Sequence, residues 1–196
     1  GKRLTAEACV HHLWFAEEDF ARLGHQIKCN PAVKTAADRA AVRAAVAAGV
    51  IDVIATDHAP HTREEKAQTY FKAPSGLPLV QHSLLMLLDL WKQGVLPLET
   101  IVERASHAPA VLFGVEKRGF IREGYAADLV VVDPTKPHTV RADNLLFQCG
   151  WSPLEGHTFA CSIDRTFVNG ICVYEDGKIR AEAPKGQRLS FEGNGR

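Results

Sequence analysis

Hydrophobic positions in the first 115 residues follow two periods, one typical of strands and one typical of helices. The run VIDVIAT at 50–56 is nearly continuous and β-branched, so it predicts a parallel strand buried on both faces. The apolar segment 4–10 predicts a second, shorter strand. Helical spacing predicts helices at 15–24, 35–49, 79–94, 97–106 and 107–114, and a capping pattern predicts that a short helix starts near Thr62. This alternation indicates an α/β fold.

Polar residues at the helix ends support two of these helices. Thr35 is placed as an N-cap with Asp38 three residues later, and Gly49 closes the helix. Thr62 and Glu65 have the spacing of a capping box, in which each side chain bonds the backbone N–H of the other residue. Both helices should therefore begin where these pairs stand.

The pattern changes near residue 115. The segment 129–133 reads as a strand, and 165–179 reads as β-rich runs separated by the turn dipeptides Asn-Gly and Asp-Gly. We therefore divide the chain into residues 1–115, an α/β unit, and residues 116–196, a β-rich unit whose tail from Pro184 onward is expected to be loose.

Composition narrows the functional classes. The chain is 46% hydrophobic and 23% charged, as in ordinary soluble globular proteins. Lys plus Arg and Asp plus Glu both number 23, so no net field favours nucleic acid or an anionic membrane. The longest apolar run, LLMLLDL, is broken by Asp89 and is too short to span a bilayer. We see no signal-peptide pattern, and we expect a cytoplasmic protein.

Cysteine and methionine usage adds two expectations. Five cysteines without CxxC spacing indicate free thiols in a reducing compartment and speak against a cysteine-based zinc site. Met86 is the only methionine, so the sequence as given does not begin at a start codon, and we expect a fragment.

The segment DVIATDHAPHT, at 52–62, concentrates the candidate chemistry. Asp57 directly follows a strand that should be core, and parallel α/β proteins collect catalytic residues at such strand ends. A carboxylate buried there needs a cation or hydrogen-bond donors. His58 and His61 can serve as metal ligands, as donors to an anionic substrate or as supporting groups. The alternative is a purely structural polar cap on a core strand.

Longer strings carry a family resemblance. TDHAPHT at 56–62, followed by EEK at 64–66, closely resembles the dihydroorotase signature within the amidohydrolase superfamily. TAEACVHHL at 5–13, KCNPAVK at 28–34 and GFIREGYAADLVVVD at 119–133 resemble further segments of that family. The double histidine favours dihydroorotases over hydantoinases and allantoinases.

The resemblance implies a metal-dependent hydrolase that interconverts N-carbamoyl-L-aspartate and dihydroorotate in pyrimidine synthesis. It implies the C-terminal part of a (β/α)8 TIM barrel plus a small β-sandwich appendage. Asp57 matches a zinc ligand that is also the general acid and base. Asn30, His61, Ser75 and Gly76 match substrate-binding positions. One or two Zn²⁺ ions are implied, with most ligands upstream of this chain.

Other features are interpreted as structural. His11, His12 and His58 are expected to be packing or supporting groups, and His82 and His107 packing or surface residues. The segment WSPLEG at 151–156 is interpreted as a structural loop.

The chain departs from the family because the upstream His-x-His pair, the bridging Lys or Asp and two later histidines are absent from it. We therefore expect weak zinc binding and no activity alone, with the N-terminal half of the same enzyme as partner and a small molecule as substrate. A homodimer stays open. Two alternatives remain: an allantoinase or hydantoinase type of cyclic amidohydrolase, and a non-catalytic scaffold of aspartate carbamoyltransferase.

Overall fold

A computed structural model describes residues 4–180 and 186–192. The predicted helix and strand alternation is present in its first part, and antiparallel strands dominate the second. The helices are α1 (Val10–Trp14), α2 (Phe20–Leu23), α3 (Ala36–Ala47), α4 (Arg63–Lys66), α5 (Ser83–Lys92), α6 (Leu98–Val102) and α7 (Ala108–Leu112). Short 3-10 turns lie at Glu17–Asp19, Gly24–Ile27 and Ala142–Asn144, and a π-helical segment at Glu103–His107 joins α6 to α7.

The strands form three small sheets within the described residues. They are β1 (Glu7–Cys9), β2 (Val53–Ala55), β3 (Leu129–Asp133), β4 (His138–Thr139), β5 (Thr158–Phe159), β6 (Ser162–Val168), β7 (Ile171–Glu175) and β8 (Lys178–Ile179). β1 and β2 pair in parallel, β4 pairs with β5, and the order β3-β6-β7-β8 makes an antiparallel sheet. The α/β fold class is confirmed.

Local sequence signals place several elements correctly. The Thr35 hydroxyl accepts the Asp38 N–H at 3.1 Å, and Thr62 and Glu65 make the equivalent reciprocal pair. Asn169-Gly170 and Asp176-Gly177 occupy positive φ angles and make the tight turns between β6, β7 and β8. These predictions are confirmed.

Other boundaries differ from the sequence expectation. The helix predicted at 79–94 begins only at Ser83, and the residues before it form a turn in which the N–H groups of Leu79 and Val80 bond the His58 ring. The helix predicted at 15–24 is broken into short 3-10 and α-helical pieces. Part of the expected loose tail is ordered: Phe191 forms an antiparallel bridge with Val115. Pro184 lies outside the described residues.

One hydrophobic core spans both predicted units. Helix α5 contributes five buried hydrophobic residues, and Val140, Leu154 and Phe159 from the β-rich part belong to the same cluster. β2 is buried over Val53 and Ile54, as expected of a strand covered on both faces. No helix in the described part of the chain combines the length and apolarity needed to cross a bilayer.

The core also holds an unpaired histidine. His82 is 0% exposed and lies against Phe147 and Phe159, and neither ring nitrogen has a hydrogen-bond partner. Burial, and secondarily His138, lowers its pKa to about 4. The folded chain therefore keeps this ring neutral where an unfolded chain would protonate it.

This imidazole should make the fold acid-sensitive. Because the pKa in the folded chain is depressed, the stability contributed by this group is complete above the ordinary histidine pKa of 6.5 and is lost as the pH falls towards 4. The loss from this group amounts to up to about 3 kcal/mol. H82L should flatten this part of the pH profile without lowering stability at pH 7, since it removes two unsatisfied nitrogens. Urea unfolding at pH 7, 6 and 5 measures this, with the half-exposed His107→Leu as control; an unchanged slope in H82L would contradict it.

Candidate functional site

The candidate site begins at the end of β2. Cys9 of β1 and Ala55 of β2 are paired in parallel register, so both strands end at the same edge of the sheet. Asp57 follows two residues later with a φ of 44°, a left-handed conformation uncommon outside glycine. Its carboxylate is exposed and has no hydrogen-bond or ion-pair partner among the described residues. The expected buried carboxylate is therefore an exposed one, which needs no partner for folding and is free to bind a ligand.

The two histidines after Asp57 have different partners. His58 accepts the N–H groups of Leu79 and Val80 at its Nδ1, at 3.1 and 3.3 Å, and so fixes the approach to α5. His61 has its Nε2 3.0 Å from the Ser75 carbonyl oxygen; since a carbonyl only accepts, His61 donates there. His58 is thus a structural group, as expected.

His61, Ser75 and Gly76 lie together. A Cβ at Gly76 would stand 2.4 Å from the Ala59 carbonyl oxygen, and the φ of Gly76 is 134°. Only glycine allows this approach of the loop to the segment that carries His61. The His61 Nδ1 lies 3.7 Å from a Glu65 carboxylate oxygen. The structure therefore brings together three of the five predicted site residues.

Asn30 lies in the neighbouring loop and is exposed. Its flanking residues tie that loop down: the Lys28 carbonyl accepts the Gly76 N–H at 2.9 Å, and the Pro31 carbonyl faces the His12 Nε2 at 2.8 Å. The Asn30–Pro31 peptide bond is cis. The Asn30 loop thus adjoins the Ser75–Gly76 loop on one side and α1 on the other, while the exposed Asn30 side chain has no hydrogen-bond partner within residues 4–180 and 186–192.

A buried lysine joins these loops. Lys66, at the end of α4, is 3% exposed, and its Nζ donates to the carbonyls of Lys28, Pro74 and Gly76 at 3.1, 3.0 and 2.9 Å. Burial lowers its pKa to about 8, with Cys29 opposing and Lys28 adding to the shift. The charge at neutral pH is thus compensated by three carbonyl dipoles. Lys66 is the last residue of the EEK segment at 64–66, but the spacing of residues in that segment does not indicate that the lysine side chain is buried.

A second missed group lies where β1 passes into α1. The donor atoms of Cys9, His11 and His12 lie within 4.8 Å of one another. His11 is 0% exposed, and neither of its ring nitrogens has a hydrogen-bond partner. Burial and then His12 lower its pKa to about 3, while a hydrogen-bond contact with the Thr56 backbone, of poorer geometry than a normal bond, acts in the opposite direction. The five cysteines are free, as predicted, but the lack of CxxC spacing did not anticipate a thiol in a cluster of metal-binding donors.

The β-rich part contributes to the outer side of the site. Trp151 donates its indole N–H to the His61 carbonyl at 2.7 Å, and Arg63 bonds Glu155 at 2.9 Å. A cavity of about 520 Å³ lies here, lined by His58, His61 and Phe147 among others. Its size suits a small molecule. The segment 151–156 is therefore structural, as expected, and also supports His61.

Known proteins resemble this chain in sequence and in fold. The family described as the amidohydrolase family matches residues 2–173. A dihydroorotase of Halobacterium salinarum is 40% identical over 177 residues, which are 90% of this chain and 42% of that protein. An allantoinase of Bacillus velezensis is 34% identical over 178 residues, covering 90% of this chain and 39% of that protein.

Solved structures give the same picture. The L-hydantoinase (dihydropyrimidinase) of Arthrobacter aurescens superimposes with a TM-score of 0.87 and 28% identity, over 95% of this chain and 42% of that one. The chain therefore spans about two fifths of the length of the proteins it matches.

The Lys66 contacts predict a stability effect centred on the site. K66M removes three charge-assisted hydrogen bonds and leaves carbonyl groups unpaired, so it should lower the free energy of unfolding by about 2–4 kcal/mol. Amide exchange of Gly76, which bonds the Lys28 carbonyl, should accelerate more than that of α5. Urea unfolding and hydrogen exchange measure the two effects. K72M, at an exposed lysine, is the control; equal stability of K66M and K72M would refute the interpretation.

Proposed function

The chain belongs to the amidohydrolase family, and on that premise we propose that it is the C-terminal part of a dihydroorotase. The reaction is the interconversion of N-carbamoyl-L-aspartate and dihydroorotate. The observation that carries the proposal is the free carboxylate of Asp57 at the shared end of two parallel strands, within the segment TDHAPHT. The 40% identity to a dihydroorotase over 90% of the chain supports the substrate class.

The proposed architecture follows from the two parallel strands. We assign β1 and β2 to the last strands of a (β/α)8 barrel, and residues 1–115 to its C-terminal portion. Residues 116–196 are assigned to a β domain, in which the sheet β3-β6-β7-β8 is one face of a composite β-sandwich. Strand ends of such barrels carry the catalytic groups, which agrees with the position of Asp57.

Metal dependence is general in this family, and Asp57 fits one ligand position. Its exposed carboxylate has no partner in the described part of the chain, so a cation can bind it without displacing a structural bond. We propose Zn²⁺, one or two ions, with the other ligands supplied by the N-terminal half of the enzyme. When bound, the metal supplies an activated water and polarises the amide carbonyl.

The chain itself supplies the proton transfer. Asp57 takes a proton from the attacking water and delivers it to the ring nitrogen that leaves. Asn30 offers both a donor and an acceptor to the substrate ring. Ser75 and Gly76 present backbone groups on the neighbouring loop. The Nε2–H of His61 is engaged by Ser75, so its Nδ1 is the remaining ring atom, and it donates to a substrate carboxylate in the imidazolium form, in which both nitrogens carry hydrogens.

A second substrate class has specific support. Allantoinase and hydantoinase relatives match the chain over 90% and 95% of its length. Their names indicate other cyclic amides, so the substrate is decided by direct competition between dihydroorotate, allantoin and hydantoin. The scaffold alternative is less favoured, because Asp57, Asn30 and His61 are all present.

The cellular setting follows the same proposal. All five cysteines are free, which suits the reducing cytoplasm. The partner is the N-terminal half of the enzyme, and a homodimer of the completed barrel is compatible with it.

The first functional prediction concerns Asp57. Joining this chain to the N-terminal portion of a mesophilic bacterial dihydroorotase should yield an enzyme that hydrolyses dihydroorotate in preference to allantoin and hydantoin. D57N in that chimera should lower kcat by roughly 10²–10⁴-fold, the usual contribution of general acid–base catalysis. Loss of ultraviolet absorbance by the substrate measures the rate.

The exposed acid Asp143 gives the matched control, since D143N should leave kcat unchanged. Circular dichroism confirms that both chimeras fold. A folded chimera that prefers allantoin would favour the second substrate class, and an active D57N chimera would refute the role of Asp57.

The second functional prediction concerns His61. H61A in the same chimera should raise KM for dihydroorotate by about 10–100-fold, the value of a lost charge-assisted hydrogen bond, with a smaller effect on kcat. H107A, at a histidine paired with Glu103, is the control. A fall in kcat with KM unchanged would place His61 in the chemical step instead.

A further inference from the structure

We propose that Cys9, His11 and His12 form a binding site for a single Zn²⁺ ion, in addition to the metal site proposed at Asp57. The site needs only residues of this chain and does not depend on the proposed function. Among the residues that the structure describes, this is the one group of three or more His, Cys, Asp or Glu side chains whose donor atoms are close enough to share an ion.

The local backbone explains why the three side chains converge. β1 ends at Cys9, which is the N-cap residue of α1 with extended φ and ψ angles of −79° and 142°. His11 and His12 follow in the first turn of α1. Their donor atoms lie within 4.8 Å of one another, and donors around a tetrahedral zinc stand about 3.3–3.8 Å apart. Small side-chain rotations therefore suffice to close the site.

His11 provides the independent sign of a missing ligand. Its ring is fully buried, yet neither nitrogen has a hydrogen-bond partner of normal geometry among the described residues, and the Thr56 backbone offers a weaker contact to one nitrogen only, so the other has no partner. Buried polar groups nearly always find a partner, and a metal is one. His82 is equally buried and unpaired, but it lies between the rings of Phe147 and Phe159 and belongs to no such cluster.

His12 has the orientation of a metal ligand. Its Nε2 lies 2.8 Å from the Pro31 carbonyl oxygen, so that nitrogen carries the hydrogen and Nδ1 keeps a free lone pair. Metal-binding histidines typically donate their other N–H to such a carbonyl. The Cys29 thiol lies 3.8 Å from the same Nε2 and bonds the Pro31 carbonyl, so it supports the ring from outside the cluster.

The donor set selects the ion. One thiolate and two neutral imidazoles suit Zn²⁺ and disfavour Mg²⁺ and Ca²⁺, which prefer oxygen. Burial, and then Asp57, raises the pKa of Cys9 to about 11, so without metal the group stays a thiol. Zinc binding releases the Cys9 proton to solvent, and water completes the fourth position.

Cobalt titration of this 196-residue chain tests the site. Co²⁺ should bind with 1:1 stoichiometry and give the near-ultraviolet absorption of a thiolate–cobalt bond, which Zn²⁺ then abolishes. C9S should remove that absorption and weaken Zn²⁺ binding at least about tenfold, and H11A and H12A should weaken binding to a similar extent. Zn²⁺ should raise the melting temperature of the original chain more than that of C9S.

Matched variants separate this site from others. C172S and C29S should keep the cobalt absorption, and D57N should keep both the absorption and the zinc affinity. A band that survives in C9S but is lost in C29S would overturn the assignment of Cys9. Zinc binding that is lost in D57N and unchanged in C9S would place the ion at the proposed catalytic carboxylate alone and also overturn this site. These experiments measure metal binding by this chain alone. Their outcome therefore does not depend on whether the chimera proposed above has dihydroorotase activity.

Discussion

The buried ammonium of Lys66 is the contact on which the geometry of the site depends. Three carbonyls from two loops point at one Nζ, so the loop before Asn30 and the loop at Ser75–Gly76 cannot move independently. Several kcal/mol would oppose burying this charge without them. Without the charge the carbonyls of Pro74 and Gly76 would lose this partner, while the Lys28 carbonyl would keep only the Gly76 N–H. The Lys66 ammonium group and the two loops therefore stabilise one another. This fixes the backbone positions of Asn30 and Ser75 through the residues next to them.

The sequence correctly predicts the structural features whose contacts join residues close together along the chain. The capping pairs Thr35–Asp38 and Thr62–Glu65 and the turns at Asn169-Gly170 and Asp176-Gly177 are satisfied within three or four residues, so their patterns are read correctly. The predicted start of α5 is misplaced, since the segment before Ser83 is a turn that also bonds a histidine 21 residues earlier, a contact that the local pattern does not contain. Lys66 and the Cys9 cluster are missed for the same reason. Their roles depend on burial and on contacts that only the folded chain makes.

Two buried histidines show that burial alone does not define function. His11 and His82 are both 0% exposed, and within the described residues neither ring has a hydrogen bond of normal geometry, although the Thr56 backbone makes a weaker contact with His11. In both, burial depresses the pKa, so each ring stays neutral at physiological pH and keeps a lone pair. The difference lies in the neighbours: aromatic rings surround His82, while a thiol and a second imidazole adjoin His11. Sequence reasoning expected His11 to be a packing or supporting group and His82 a packing or surface residue, and it predicted neither as a metal ligand, because it sees the residue type and not the surroundings.

The β-rich part of the chain also determines the position of His61. Asp89 seemed from its position to interrupt an apolar helix, yet it is 6% exposed and accepts the Ala160 N–H at 2.8 Å. That bond fastens α5 to the segment after β5, and the shared core continues across the change of pattern near residue 115. Trp151 is carried by the same part and bonds the His61 carbonyl. Since His61 is held by Trp151 on one side and Ser75 on the other, a change in the β-rich part alters the site without touching Asp57.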